Sequence, residues 1–318
     1  MSKKPPIINS METVEIDLTA QVLTLIQLTY GVPSFILMIF LFCRLTNAQK
    51  YDNSFYRLVQ FDLLTNIILY LNTWIAMRLE NHPSCVFILV FIETNFSGIL
   101  TFLKYLTYYF NNMQFLSAAV LNVHRMTAVF YPFSYDRVWN SSYIFVTVVF
   151  CIYSYLPRLL WDSEAITEVK YVNGTLMKLR YPDVSDYAIN VTAALSLTYF
   201  ILIVVIGLST AYLIANKMKD ASHSSLIAKR KLTKIAITYC VVYAAQLIWT
   251  LLNSANSFWP FLPESMMLFN TNILFFSSDM MTLALPWILI FHDGNVRVDI
   301  LRLKPQPGPF NAVSTIVL

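Results

Sequence analysis

Apolar residues gather along the chain in long runs separated by short polar stretches. A helix needs roughly 20 apolar residues to cross a hydrocarbon core about 30 Å thick. Seven runs reach that length, at about 18–43, 55–77, 99–126, 142–160, 188–215, 232–255 and 266–291. The stretch between Cys85 and Tyr131 is too long for one span. Dividing it into two would leave only a couple of residues around Lys104 for the turn. The segment "CVFILVFIETNFSG" (85–98), with Glu93 and Asn95 inside it, therefore reads as an outer lead-in lying against the bundle. The pattern predicts an all-α membrane protein, a seven-transmembrane helix bundle. Residues 1–17 form an outer tail, 18–296 the membrane domain and 297–318 an inner tail.

Composition supports this reading. The 318 residues are 57% hydrophobic and 13% charged, against about 25% charged in ordinary soluble domains. So little polar surface does not cover a water-soluble globule. The first 17 residues are polar and the apolar run after them exceeds a signal's core, so the first span is expected to act as its own insertion signal.

Basic residues collect in cytoplasmic segments. With the N-terminus outside, 14 of the 22 lysines and arginines fall inside, among them Arg125, Lys229, Arg230, Lys231 and Arg297. An N-out, C-in arrangement follows. It places the glycosylation sequons of Asn95 and Asn173 outside and that of Asn140 inside; Asn190 lies close to the membrane.

The third span carries a polar stripe. Lys104, Tyr108, Asn111, Phe115, Ala118, Asn122 and Arg125 recur at alternate steps of four and three, which puts them on one helical face. At about 1.5 Å per residue they cover roughly 31 Å, the whole hydrocarbon thickness. Hydrocarbon offers polar groups no partner, so this face is expected to look into the bundle. Thr107, Tyr108 and Asn111, with Gln246 and Trp249 on the sixth span, are candidate pocket residues.

Asp62 and Asp279 also fall within spans. An ionised carboxylate there costs roughly 2.5–3.5 kcal/mol on insertion scales, so each is expected to be paired or protonated, either in a structural network or in an ion or ligand role. A catalytic pair of aspartates is excluded because neither stands in a "GxGD" setting. The four histidines, at 82, 124, 223 and 292, share no metal-ligand spacing. The four cysteines allow no bridge in the outer segments, since only Cys85 faces outward. No metal, cofactor or nucleic acid is expected.

Charge alone makes Arg125 an ordinary anchor at the inner interface. The residues after it say more. Arg125 is followed by Ala128, Val129, Pro132, Phe133 and Tyr135, which resembles the close of the third helix in rhodopsin-like G-protein-coupled receptors. In that superfamily the arginine is a switch that turns toward the G protein. Asp62, in "FDLLTNIILYL" (61–71), agrees with its second helix. The closer resemblance is to the nematode serpentine chemoreceptors of class gamma, the Srg family. It is carried by "YGVPSFILMIF" (30–40), "MQFLSAAVLNVHRMTAVFYPFSYDRVW" (113–139) and "SSDMMTLALPWILIFHDGNVR" (277–297).

The resemblance implies a chemosensory receptor in the plasma membrane of sensory neurons, with a small-molecule ligand, odorant or pheromone-like, and a heterotrimeric G protein as partners. Asp62, His124, Arg125, Pro132, Tyr135 and Pro286 then become switch or coupling residues. The basic segment 217–234, which by itself reads as a lipid-facing loop worth about 1 kcal/mol per charge, becomes part of the G-protein dock through Lys229, Arg230 and Lys231.

Counted back from Pro286, Asp279 occupies the place of the retinal-linked lysine in light receptors, and this span holds no lysine. A covalent chromophore is thereby excluded. Lys104 reaches toward the same cavity. Either the two residues neutralise one another, or Lys104 binds an acidic ligand and Asp279 a donor group.

The chain departs from the superfamily in several places. The first span lacks its asparagine, the sixth lacks a proline, Leu285 and Leu289 flank Pro286, and segment 161–187 has no cysteine. His124 stands where an acid normally clamps the arginine, so the resting state is expected to be held less firmly. Replacing His124 by Asp is expected to lower ligand-free activity. The alternative reading is a transporter or ligand-gated channel. It would need repeated halves with interrupted helices, whereas Pro33 and Pro286 interrupt spans without repeated sequence around them.

Overall fold

The computed structural model describes residues 7–10, 18–131, 134–155, 167–217, 223–259 and 264–301. Among these, strand β1 (Ile7–Ser10) precedes α1 (Leu18–Asn47) and α2 (Ser54–Thr73). Next come the short α3 (Val86–Asn95), then α4 (Ile99–Phe130) and α5 (Tyr135–Tyr153). A hairpin of β2 (Thr167–Val172) and β3 (Thr175–Arg180) follows, then α6 (Pro182–Lys217), α7 (His223–Phe258), α8 (Glu264–His292) and α9 (Gly294–Leu301). The seven long helices α1, α2 and α4–α8 overlap the seven apolar runs. Residues 156–160 of the fourth expected span, and Pro132, lie outside the described residues.

Among the described residues, five helical stretches are long and apolar enough to cross a membrane: Gln21–Asn47, Ser54–Asn81, Pro182–Thr210, Ile237–Phe258 and Asn272–His292. The pair α3 and α4 makes a sixth, bent by 105° at the break between them. The bundle is polar inside and apolar outside, the arrangement that hydrocarbon solvation selects. Leu25, Ile36, Phe145, Ile152, Leu208 and Phe291 face outward, whereas Asp62, Asn66, Gln114, Ser117, Asn122 and Thr282 are buried. Gln114 on α4 donates to Asn66 on α2 at 2.5 Å and to Thr282 on α8 at 3.1 Å. The apolar core around this network joins Met38, Leu41, Leu63, Phe115, Tyr243, Leu285 and Leu289.

The break before α4 has a local cause. Gly98 takes a left-handed backbone (φ 82°) that a side chain disfavours. Glu93 receives the Gly98 N–H at 2.6 Å and the Leu100 N–H at 3.3 Å. An acid inside a greasy segment thus satisfies the exposed donors of the next helix. The lead-in α3 lies across the end of α4, with Val86 and Leu89 packed on Leu100 and on Val169 and Leu176 of the hairpin.

The hairpin was not among the elements expected of this sequence. It turns on Asn173 and Gly174, both with positive φ (53° and 86°), the backbone that two-residue turns between twisted strands require. Strand β3 also pairs with β1, giving an antiparallel sheet in the order β1-β3-β2, with Ile7 opposite Arg180 and Ser10 opposite Met177.

Candidate functional site

Helix α2 does not simply stop at Thr73. Residues Trp74–Arg78 form one π-helical turn and Leu79–Asn81 a 3-10 turn. The wider turn rotates Arg78 into the bundle, where it is only 2% exposed. Its Nη2 donates to Asp279 Oδ1 of α8 at 2.5 Å, and Tyr30 of α1 donates its hydroxyl to Asp279 Oδ2 at 2.6 Å. The guanidinium lies over the rings of Trp74, Phe275 and Tyr70, at 4.9, 5.2 and 5.7 Å. Among the described residues, Arg78 Nε and Nη1 have no hydrogen-bond partner.

Arg78 forms part of the wall of a cavity of about 80 Å³. Leu69, Thr73 and Met77 line it from α2 and its extension, Thr107, Tyr108 and Asn111 from α4, and Thr192 from α6. Gln246 and Trp249 on α7, with Leu274, Phe275 and Ser278 on α8, complete it. Several of these side chains are pinned. Thr107 accepts from Asn72 at 2.9 Å, Gln246 from Ser277 at 2.8 Å, and Trp249 donates to Asn270 at 2.8 Å. Five residues proposed from the sequence, Thr107, Tyr108, Asn111, Gln246 and Trp249, converge here.

Lys104 and Asp279 do not line this cavity, and they do not pair with one another. Lys104 donates to Glu80 at 2.5 Å and to the Ala76 carbonyl at 2.6 Å, while Lys178 of β3 donates to the other oxygen of Glu80 at 2.6 Å. Of the two alternatives open in the sequence, mutual neutralisation of Lys104 and Asp279 is therefore not seen. The physical reason is Arg78, which lies just past the apolar run 55–77 and takes Asp279 as its partner. Asp279 instead borders a more open depression between α1, α7 and α8, with Tyr30 and Trp287.

At the other end of α4, Arg125 is buried between the rings of Phe55 and Tyr239, whose centroids lie 5.4 and 5.5 Å from the guanidinium carbon. Two aromatic faces, from α2 and α7, thus flank the arginine where the acidic clamp is missing. His124 is fully buried and turns toward α2 and α5. The Ser54 and Tyr135 hydroxyls lie 3.1 and 2.9 Å from its Nε2, and the Trp139 ring is 4.5 Å away. Asp62 is buried near Ser117, and its Oδ1 has no hydrogen-bond partner among the described residues. Pro286 sits within α8. Lys229, Arg230 and Lys231 fall in the first turns of α7, so that the helix extends well into the segment expected as a loop.

Beyond the spans, Asp293 accepts from the Tyr56 hydroxyl at 2.7 Å and from the Val296 N–H at 3.4 Å, which caps α9. Asp299 on α9 meets Lys50, Arg44 and the Tyr51 hydroxyl. Burial alone would raise the Asp299 carboxyl; the Lys50 and Tyr51 bonds and the nearby Arg44 charge outweigh it and hold the group below the ordinary carboxylate range. Two of the outward sequons expected from the sequence sit at exposed turns, Asn95 at the end of α3 and Asn173 at the hairpin tip. Asn190 is engaged within the bundle, its Oδ1 accepting from Ser254 and Ser257.

Comparison with known proteins decides the family. Residues 24–300 match the family described as Srg family chemoreceptor. The chain belongs to the Srg family. Serpentine receptor class gamma-47 of Caenorhabditis elegans is 30% identical over 290 residues, covering 91% of this chain and 93% of that protein. Serpentine receptor class gamma-53 of the same organism is 28% identical over 282 residues, covering 86% and 90%. Srg membership makes the molecule a multi-pass serpentine receptor of the seven-transmembrane type, in a family of chemoreceptors rather than enzymes.

Proposed function

We propose that this Srg protein binds a small molecule in the cavity beside Arg78 and signals to a heterotrimeric G protein at the opposite end of the bundle. The observation that carries the reading is the convergence of α2, α4, α6, α7 and α8 on one cavity. That cavity lies some 14 residues along α4 from Arg125, or about 21 Å. A ligand touching five helices at once biases their relative arrangement by binding one arrangement better than another. Asp62 and Pro286 lie between the two ends. On the inner face Arg125, Pro132, Tyr135 and the basic start of α7, Lys229 to Lys231, form the dock, with the remaining basic charge against anionic lipid.

In this reading the sheet and the N-terminus face outward, the C-terminus faces the cytosol, and Asn95 and Asn173 are the glycosylated sites. The plasma membrane of a sensory neuron is the location that suits it. Two measurements test the proposal. Epitope tags inserted in each loop of the chain in intact cells should expose the hairpin to antibody outside and residues 131–139 only after permeabilisation; the reverse pattern overturns it. In membranes with co-expressed G proteins, Tyr239→Ala should free Arg125 and raise ligand-free nucleotide exchange several-fold, since a desolvated cation–π contact is worth about 0.5–2 kcal/mol. Arg125→Ala should abolish exchange, and equal exchange in the three proteins would refute coupling at this end.

A further inference from the structure

We propose that the ligand of this cavity carries a carboxylate, and that Arg78 is the group that recognises it. The inference rests on the cavity being the binding site and adds the ligand's chemical class. Arg78 stands in the wall, nine-tenths buried and more, and among the described residues its Nε and Nη1 have no partner. Buried polar groups are almost always hydrogen-bonded, so each exception calls for a reason. A guanidinium is permanently charged and presents its donors as a planar fork that fits a carboxylate.

Its existing partner leaves that capacity open. Asp279 touches Arg78 through one oxygen only, while its other oxygen is held by Tyr30. Among the described residues lining the cavity none is an aspartate or glutamate, so none of them competes for the open donors. The neighbouring ion network leans the same way. Arg78, Lys104 and Lys178 face Glu80 and Asp279, three cations for two carboxylates, and an anion at Arg78 completes the balance. The π-helical turn that brings Arg78 inward is a second, independent sign, because such turns inside helices recur at functional sites.

The rest of the wall describes the rest of the ligand. Leu69, Met77, Leu274 and Phe275 supply apolar surface, and Thr73, Asn111 and Ser278 a few hydrogen-bonding groups. A short aliphatic acid with sparse polar substituents suits that lining.

The test uses the full-length protein in nanodiscs and the n-alkanoates of four to ten carbons, each beside its methyl ester. Thermal unfolding is followed at pH 7.4 over a concentration series. At least one alkanoate should stabilise the protein, with its ester at least tenfold weaker. Arg78→Gln alone strands Asp279, so the informative variant is Arg78→Gln with Asp279→Asn, which removes both charges together. It should erase the preference for acid over ester. The proposal falls if no alkanoate stabilises the protein, if esters match acids, or if the double variant keeps the preference. Asn111→Trp fills the cavity and separates the two levels of the argument. Should it block every ligand that binds while the double variant discriminates as before, the cavity stands and the role of Arg78 does not. Alkanoate stabilisation that survives Asn111→Trp places the binding elsewhere and overturns both.

Discussion

Arg78 and Asp279, 201 residues apart in the chain, meet at 2.5 Å in the interior of the bundle and tie α2 to α8, with Tyr30 adding α1 through the same carboxylate. Three helices are thus held by one charge pair at the edge of the cavity. Removing one partner of such a pair strands the other. Arg78→Gln should therefore destabilise the protein by about 3–5 kcal/mol. Adding Asp279→Asn should restore more than half of that loss, which thermal unfolding of the single and double variants in nanodiscs measures. Equal instability in the two would show that Arg78 matters through packing on its three rings and not through charge.

Glu80 joins the sheet to the bundle. Its two oxygens hold Lys104 on α4 and Lys178 on β3. Glu80→Gln leaves both lysines without a counter-charge, and a hydrogen bond to a charged group contributes about 1.5–3 kcal/mol. Amide hydrogen exchange in residues 167–180 should accelerate by roughly tenfold or more, with α5 unaffected. Unchanged exchange in the hairpin would mean that Val169 and Leu176 alone hold it down.

Asp299 gives a pH dependence with a definite sign. The native carboxyl is held below its ordinary range by Lys50 and Tyr51, so the unfolded or undocked state binds the proton more readily. Its contribution to docking α9 is complete above the ordinary carboxylate range and is lost as pH falls through the lowered native value. Exchange of the amides in 294–301 should therefore rise on acidification below about pH 4. Asp299→Asn should show the faster rate already at neutral pH and no further response to acid.

Much of this architecture was legible in the sequence, for reasons that differ by element. The stripe on α4 was visible because polar residues at helical spacing inside an apolar run have only one place to go; Phe115, Ala118, Asn122 and Arg125 are all buried. The same logic led to Thr107, Tyr108 and Asn111 on the cavity wall. Arg78 was missed because a run of apolar residues says where hydrocarbon ends only if the helix keeps its regular pitch, and the π turn at Trp74–Arg78 breaks that condition. Without Arg78, the internal partner considered for Asp279 was Lys104 on α4.

The hairpin had a signal that went unused. "NG" at 173–174 between the alternating "TEVKYV" and "TLMKLR" is strong evidence of a two-residue turn, and it was read only as a glycosylation sequon. Glu93 had no such signal. Its role depends on a 105° bend that composition does not encode.

Strand β1 comes from residues ahead of the first helix, yet it completes a sheet whose other strands arise some 160 residues later. The leading segment is therefore a component of the sheet that caps this end of the bundle and not a spacer. An epitope or fluorescent label that replaces Ile7–Ser10 would strip β3 of a neighbour and leave its free edge to recruit other chains. Fluorescent reporters for trafficking belong at the far terminus instead.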